Sequence, residues 1–232
     1  MRKPIAQTGL HEILRTPNEL IEIYRRIAKD PWEFAKTCVF TKDEVDKSVR
    51  IKPFPQDLLY LKTYFELWTQ ERLIAVPKSR RMFMTWSNVI LYLHDTMFNV
   101  GKRNAFVSKK EDDSDDLVER AWFVYEHIPE QIIPRQYLPK AVRTFCRLEF
   151  PEIESAIEGF PSGADQLRQF TFSGILADEM AFWENAEEMY SAAFPTLEGG
   201  GRFTAISSPG PNFFKRLVHD TMDIGTNDET QE

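Results

Sequence analysis

The sequence feature that most constrains the fold is a short apolar run that ends in two adjacent carboxylates. Ile175, Leu176 and Ala177 are followed directly by Asp178 and Glu179. A short apolar run bounded by polar residues is typical of a strand buried on both faces of a parallel sheet. Acids at the carboxyl end of such a strand lie where open α/β sheets bind ligands. The alternative interpretation is a strand followed by an acidic helix cap.

A basic loop lies upstream, between a second apolar run and an apolar helix pattern. The run Leu-Ile-Ala-Val precedes the loop KSRRMFMT at residues 78–85. A Walker A phosphate loop has the pattern GxxxxGK[ST] between a strand and a helix. Thr85 occupies the hydroxyl position that ligates magnesium. Lys78 and Phe83 replace the two glycines, and Met84 replaces the lysine.

This loop can still bind an anion despite its departures from the pattern. A helix that begins here offers unpaired backbone N–H groups to a phosphate. Lys78, Arg80 and Arg81 add three cations, and one of them must supply the charge of the missing lysine. Taken alone, a basic surface turn is the simpler interpretation.

A third apolar run ends in small hydroxyl residues. Residues 203–206 read Phe-Thr-Ala-Ile, and Ser207, Ser208, Pro209 and Gly210 follow them. Hydroxyl groups at the end of a strand can sense a terminal phosphate through hydrogen bonds. In isolation, an ordinary turn is the simpler interpretation of this segment.

The pattern between these motifs predicts an α/β fold, with a mainly parallel sheet flanked by helices. Apolar strand patterns at 73–76 and 104–108 alternate with helical patterns at 86–98 and 109–125. The Asp112–Asp116 run is interpreted as a solvated helix start rather than a metal site.

Other elements are predicted on both sides of this alternation. Upstream, a helix over 17–37 is broken at Pro31, residues 39–54 are extended, and a further helix follows. We expect the buried side of that helix to consist of Leu58, Leu59, Leu61, Tyr64, Phe65 and Trp68. The downstream elements are a hairpin within 135–150, a strand pair within 151–171, and helices over 184–194 and 213–221.

Composition bounds the class of protein. The 232 residues fit one large domain or one domain with a small subdomain. The formal charge of −7 argues against a uniformly basic nucleic-acid binder. With only Cys38 and Cys146, neither a disulfide framework nor a cysteine zinc site is expected. A signal peptide and an apolar membrane span are not apparent, so the sequence predicts a soluble intracellular protein.

In order, spacing and residue identity, the three motifs resemble those of the large terminase subunit of tailed double-stranded DNA viruses, which is the ATPase of the packaging motor. The resemblance rests on KSRR with the later Thr85-Trp86, on ILADEMAF from residue 175 and on AISSPG from residue 205. The upstream segments YRRIAKDPW and FPQ are similar to that family's lid and adenine-contacting segments. The similarity covers roughly residues 20 to 215.

The resemblance implies a role for each matching residue. The ATP phosphates would lie on the P-loop, which consists of Lys78, Ser79, Arg80, Arg81, Met82, Phe83, Met84 and Thr85. Gln56 would contact adenine, and Thr85 and Asp178 would hold Mg²⁺. Glu179 would be the catalytic carboxylate, and Arg80 matches a loop arginine that serves as a trigger or finger. Ser207, Ser208 and Pro209 would couple hydrolysis to motion.

The resemblance also implies a domain plan and partners. It predicts a P-loop ATPase core at 55–210 and a lid or linker subdomain formed by 1–54 and 211–232. The family's nuclease domain is expected to be absent, so DNA cleavage is not expected. The implied partners are double-stranded DNA, the portal protein, the small terminase subunit and further copies in a ring, with no membrane. The expected location is the host cytoplasm, at the portal vertex of the procapsid.

A ring would allow a neighbouring subunit to donate an arginine to the site. The candidates are Arg135, Arg143, Arg147 and Arg168, with Arg143 and Arg168 as first choices. The alternative is that all four are surface or DNA-contacting cations.

Two other functions remain open at the level of sequence. One is a helicase-like, nucleic-acid-dependent ATPase, which would need a second core domain. The other is an assembly protein that binds nucleotide without turnover, which Met84 makes conceivable. The second acid, Glu179, argues against a site without turnover.

Overall fold

The computed structural model of the chain describes residues 16–42, 51–163, 167, 170–210 and 212–223. The helices in this part are α1 (Pro17–Lys29), α2 (Pro31–Cys38), α3 (Leu59–Gln70), α4 (Met84–Phe98), α5 (Glu111–Glu126), α6 (Ala186–Glu198) and α7 (Phe213–Asp223). The strands are β1 (Phe40–Lys42), β2 (Ile51–Pro53), β3 (Leu73–Pro77), β4 (Arg103–Ser108), β5 (Val142–Thr144), β6 (Arg147–Phe150), β7 (Ser155–Pro161), β8 (Gly174–Asp178) and β9 (Arg202–Ser207).

The central sheet confirms the predicted fold class. Its seven strands have the order β3-β9-β8-β4-β7-β6-β5. The five strands from β3 to β7 in that order run parallel, and β6 and β5 are antiparallel additions. The hairpin of β5 and β6 is the one predicted within residues 135–150. The molecule is therefore a mixed α/β structure with a mainly parallel sheet flanked by helices.

The central strands are apolar because helices cover both faces of the sheet. Phe106, Leu176 and Ile206 point into one core together with the apolar sides of α2, α3, α4 and α5. Alternate residues such as Ile175 and Ala205 point into a second core with α6 and α7. Every residue of β8 is buried, as the continuous apolar run predicted.

Register aligns the ends of three strands at one edge. Ala205 of β9 is the partner of Ala75 in β3 and of Ala177 in β8. Pro77, the last residue of β3, pairs with Ser207, the last residue of β9. The segments that follow β3, β9 and β8 therefore leave the sheet side by side.

The amino-terminal elements pack onto α4. Pro31 begins α2, and Asp30 caps it by accepting a hydrogen bond from the backbone N–H of Trp32 at 2.8 Å. The predicted break at Pro31 is thus confirmed. Phe34 of α2 lies 5.6 Å from the His94 ring of α4, measured between ring centroids. The division of the chain into lid and core stays a prediction.

One predicted element is described only in part. A strand pair was expected within residues 151–171, around Gly159 and Gly163, and the described residues there form one strand, β7, with Gly159 inside it. Residues 164–166, 168 and 169 of the predicted pair lie outside the described residues. A Cβ at Gly159 would lie 3.1 Å from the backbone oxygen of Ser114 in α5. Close approach of helix and strand, and not a turn, therefore requires this glycine.

The predicted buried side of α3 is right for four residues and wrong for Leu59. Leu61, Tyr64, Phe65 and Trp68 are buried at helical spacing, whereas Leu59 is 75% exposed. Leu59 is the first residue of the helix and lies off the stripe that the other four form. Leu58 precedes the helix and is half-buried.

None of the helices in the described ranges has the length and apolar character that crossing a bilayer requires.

Candidate nucleotide-binding site

The strand order brings the three sequence motifs together. The P-loop follows β3, while the small hydroxyl pair spans the end of β9 and the acid pair spans the end of β8, on three adjacent strands. The backbone N–H of Lys78 donates to the carbonyl of Ser207 at 2.8 Å, which extends the β3–β9 ladder into the loop. The carboxyl edge of a parallel sheet is where α/β folds bind ligands.

The P-loop keeps a left-handed backbone where the standard pattern has its second glycine. Phe83 has φ = 54°, and Arg81 has φ = 65°. Positive φ values are uncommon for residues with a side chain. Backbone strain of this kind is concentrated at functional sites. The Phe83 ring is half-buried and meets Phe54 edge-on at 6.4 Å between centroids. Packing of this ring helps to hold the conformation that a glycine would otherwise provide.

Helix α4 begins at the end of this loop. Phe83 is its N-cap residue and makes no side-chain capping hydrogen bond. Its carbonyl accepts the first helical bond from Ser87 at 2.8 Å. The N–H groups of the first helical turn are available to an anion, and the helix dipole favours negative charge there.

A cleft of about 710 Å³ opens beside the loop. Among the described residues that line it are five cations and no carboxylate. The cations are Lys42, Lys52, Lys78, Arg81 and Arg120. A cleft with one sign of charge attracts ligands of the opposite sign, so this one suits a polyanion such as a nucleoside triphosphate.

Asp178 is buried beside the P-loop. It is 8% exposed, and its Oδ1 accepts a hydrogen bond from the Thr85 hydroxyl at 3.4 Å. Burial raises the pKa of the Asp178 carboxyl to about 6, an effect that Lys78 and Arg120 oppose and the charge of Glu179 reinforces. Ionised Asp178 is therefore an acceptor for which a cation is favourable.

Thr85 and Asp178 fit a magnesium site. Mg²⁺ prefers oxygen ligands, and its sites in nucleotide enzymes use one or two protein oxygens with phosphate oxygens and water. A hydroxyl and a carboxylate oxygen 3.4 Å apart supply such a pair. No group of three or more His, Cys, Asp or Glu side chains in the described residues could hold a metal without help. Phosphate oxygens would thus have to complete the coordination.

Glu179 contacts a different set of partners. Its Oε1 lies 2.6 Å from the Lys78 ammonium, whose side chain is only 10% exposed. Its Oε2 accepts from the Ser208 backbone N–H at 3.3 Å and from the Ser207 hydroxyl at 3.4 Å. Glu179 is not extended, because its φ of 52° turns the chain into a short 3-10 helix. The acid pair therefore divides, with one carboxylate towards Thr85 and the other towards Lys78.

Ser207 links the site to the chain beyond β8. Its side chain is fully buried, and its hydroxyl oxygen accepts a hydrogen bond from the Ala181 backbone N–H at 3.1 Å. The same residue contacts Glu179 through its hydroxyl and Lys78 through its carbonyl. The predicted coupling segment thus touches both the acid pair and the P-loop, whereas Pro209 is exposed.

Several predicted site residues lie away from the cleft lining. The Gln56 side chain is exposed, and its amide donates to the carbonyl of Lys36 at 3.0 Å. Arg80 is exposed and does not line the cleft, whereas Ser79, Arg81, Met82, Phe83 and Met84 do. The roles predicted for Gln56 and Arg80 stay predictions.

Three of the four candidate trans arginines have partners within this chain. Arg143 pairs with Asp115 of α5 at 2.5 Å, and its side chain is 13% exposed. Arg135 donates to backbone carbonyls at the end of α5, and Arg147 pairs with Glu149 and Glu158. Arg168 lies outside the described residues. The donation of an arginine across a ring interface stays a prediction.

Sequence reasoning missed other residues of the cleft, above all Arg120. This residue of α5 lines the cleft beside Trp86, the first residue after Thr85. The signal was its spacing, three residues after buried Leu117 on the helix that follows β4. Lys42 and Lys52 also line the cleft, from the two-stranded sheet of β1 and β2.

Comparisons with known proteins agree with this architecture. No family model matches the sequence. The large terminase ATPase domain of Thermus phage P74-26 is similar, with a TM-score of 0.50 and 18% identity over 63% of each chain. An arginine-to-alanine variant of that domain gives a TM-score of 0.51 and 13% identity, over 68% of this chain and 67% of the other. This chain shares the fold of these terminase ATPase domains.

A third solved structure covers more of the chain. The large terminase of bacteriophage HK97 gives a TM-score of 0.64 with 9% identity, over 85% of this chain. The match spans only 42% of the HK97 protein and 63% of the P74-26 domain. At these identities the likeness to terminases establishes the fold alone.

Proposed function

We propose that the chain is the ATPase domain of a viral DNA-packaging motor, which hydrolyses ATP to move double-stranded DNA into a procapsid. The observation that carries this proposal is the meeting of three motifs on adjacent strand ends, beside a cationic cleft. The likeness to phage terminase ATPase domains supports the same function through the fold. The portal protein, the small terminase subunit and further copies in a ring would be its partners, at the portal vertex in the host cytoplasm.

Lys78 is the best-placed substitute for the missing lysine of the phosphate loop. Its side chain is largely buried, lines the cleft and reaches the catalytic carboxylate candidate at 2.6 Å. Arg80 and Arg81 are both exposed, and of the two only Arg81 lines the cleft. We therefore assign the contact with the ATP phosphates to Lys78 and the backbone of the P-loop. The role proposed for Arg80 remains that of a trigger.

Each residue of the proposed site has a separate task in ATP hydrolysis. Thr85 and Asp178 would hold Mg²⁺, which when bound neutralises phosphate charge. Phosphoryl transfer needs positioning and charge neutralisation more than covalent help. Glu179 orients the attacking water and accepts its proton. Ser207 and Ser208, which contact Glu179, are placed to respond when its charge or position changes.

Glu179→Gln tests this proposal, because it keeps the shape of the side chain and removes its charge. We expect the wild-type chain to release phosphate from Mg·ATP, and the variant to lose at least about 10²-fold in turnover while still binding ATP. Glu184→Gln, in the exposed turn after the same strand, is the matched control and should leave turnover unchanged. Turnover of the Glu179 variant equal to that of the control would remove Glu179 from the mechanism.

DNA translocation needs its own measurement. Turnover by the wild-type chain should rise when linear double-stranded DNA is added, and the rise should be lost in the Glu179 variant. ATP hydrolysis that is indifferent to DNA under all salt conditions would contradict a packaging motor and leave an ATPase of another kind.

A further inference from the structure

Arg120 lies where two clefts meet, and none of the three motifs includes it. It is half-buried on α5, the helix that follows β4, and β4 is the neighbour of the acid-tipped β8. It lines the cationic cleft with Thr85. It also lines a second cleft, of about 430 Å³, together with Asp178 and Glu179. This one side chain therefore borders both the phosphate side and the carboxylate side of the site.

Trp86 helps to fix the position of the Arg120 guanidinium. The guanidinium carbon lies 5.2 Å from the centroid of the Trp86 ring, which is a cation–π distance. Trp86 is 7% exposed in the first turn of α4, immediately after Thr85. The packing of a buried ring thus holds the cation next to the residue predicted to ligate Mg²⁺.

The Arg120 side chain shares the second cleft with the acid pair, because Asp178 and Glu179 line that cleft together with it. Lys78, on the other side of the acids, is already paired with Glu179 at 2.6 Å. Two cations therefore lie near the acid pair: Lys78 contacts Glu179 directly, and Arg120 lines the second cleft with both acids.

We infer that Arg120 is a catalytic residue of the site, donated by the same chain, which contacts the γ-phosphate of ATP and stabilises the charge that develops during hydrolysis. This inference rests on the proposed ATPase function. In the step it serves, the bond from the γ-phosphorus to the bridging oxygen breaks, and ADP keeps the electron pair. The bond to the water oxygen forms, and Glu179 accepts the water's proton. Arg120 exchanges no proton and forms no covalent bond.

A guanidinium suits this task better than an ammonium. It is always charged, and its planar fork can donate two hydrogen bonds to phosphate oxygens at once. An arginine that stabilises a phosphoryl-transfer transition state contributes about 10³-fold or more in rate. Such a residue acts mainly on turnover, because its contact strengthens as charge builds up on the transferring group.

The test compares Arg120→Ala and Arg120→Lys with Arg216→Ala in the whole chain. Arg216 is an exposed arginine of α7 that pairs with Glu187, far along the chain from the site. Three quantities are measured for each variant: steady-state ATP turnover, the affinity for Mg·ATP, and the affinity for Mg·ADP with aluminium fluoride, a mimic of the transferring phosphoryl group.

We expect Arg120→Ala to lower turnover by about 10²- to 10³-fold and to weaken Mg·ATP binding by less than about tenfold. Binding of the fluoride complex should weaken by much more than binding of Mg·ATP. Arg120→Lys should recover part of the lost turnover, and Arg216→Ala should match the wild type. A merely structural role would weaken both ligands alike and would not be rescued by lysine.

Failure of this inference is distinguishable from failure of the proposed function. A wild-type chain that neither binds Mg·ATP nor hydrolyses it overturns both. A wild-type chain with turnover that Arg120→Ala leaves intact overturns the role of Arg120 alone. Equal losses for Mg·ATP and for the fluoride complex do the same. If the alanine variant does not fold, Arg120→Gln, which keeps part of the unbranched stem over Trp86, is measured instead with the same expected outcomes.

Discussion

Two buried carboxylates lie on the strands that flank β4, and their surroundings differ. Glu158 of β7 and Asp178 of β8 are each 8% exposed. Glu158 is paired on both oxygens, with Arg103 Nε and Arg147 Nη1. Within the described part of the chain, the Asp178 carboxylate has no ion pair and accepts a hydrogen bond from one side chain, the hydroxyl of Thr85 at 3.4 Å.

The difference separates a structural carboxylate from a binding one. Burying a charge is costly unless partners compensate it, and the two arginines provide that compensation for Glu158. The free-energy cost of burying the Asp178 charge is compensated less completely, and burial raises the pKa of this carboxyl to about 6. Groups held in such a state inside a cleft are candidates for function. The comparison therefore favours a structural role for Glu158 and makes Asp178 a candidate for ligand binding.

The largest effect on stability is expected when each of the two carboxylates is replaced by its isosteric amide. Glu158→Gln should lower the free energy of unfolding by about 2–3 kcal/mol, because it leaves two arginines without their counter-charge while both remain partly exposed. Asp178→Asn should leave it unchanged or raise it, because it removes an undercompensated charge. Chemical denaturation of both variants measures this. Equal destabilisation by the two would show that the carboxylates are alike.

A smaller effect concerns the cations that face the acid pair. Lys78→Met should weaken ATP binding by about tenfold to a hundredfold, the worth of one charge-assisted contact of about 1.5–3 kcal/mol. Arg80→Met, two residues further on and exposed, is the matched control and should cost less. Equilibrium titration with a fluorescent ATP analogue gives both affinities. A greater loss for Arg80 than for Lys78 would reverse our assignment.

The smallest effect is expected from a buried base, His94, which can be compared with the buried acids. His94 Nε2 donates to the carbonyl of Ile27 at 2.8 Å, and burial lowers the pKa of His94 below its ordinary 6.5. Because the folded state binds the proton less readily, the stability that this group contributes is complete above about pH 6.5. It is lost as the pH falls from there through the lowered pKa.

His94→Gln removes the titrating group and keeps a donor. The decrease in unfolding free energy between pH 7 and pH 5 should be smaller in this variant than in the wild type. Denaturation at several pH values in both proteins measures the difference, and the contribution of Asp178 cancels because both retain it. A decrease of the same size in both would contradict neutral burial of His94.

The sequence predicted the strand ends of the site well. The runs before Asp178, Lys78 and Ser207 are short, apolar and bounded by polar residues, so periodicity alone places the motifs on loops after buried strands. The α/β class followed from the alternation of those runs with helical patterns. The family resemblance then supplied roles that spacing could not.

Other features depend on contacts that a linear pattern does not contain. The order β3-β9-β8 is a property of long-range pairing, and it alone explains why the three motifs meet. Arg120 joins the site because α5 packs beside β4. Its spacing from Leu117 indicates a side of the helix, but local sequence does not show which cleft that side borders. Gly159 belongs to the range predicted as a strand pair, and the sequence does not show that Ser114 approaches the strand at this residue.

Asp178 provides the most direct test of the central claim, which is that this edge of the sheet binds Mg·ATP. Calorimetric titration of ATP into the wild type and into Asp178→Asn, each with Mg²⁺ and with a chelator, separates metal-dependent from metal-independent binding. The account predicts that removing Mg²⁺ weakens ATP binding markedly in the wild type and little in the variant, with similar affinities for the two proteins when the metal is chelated. Equal losses on removal of Mg²⁺ in both proteins, or no ATP binding by the wild type, would contradict it.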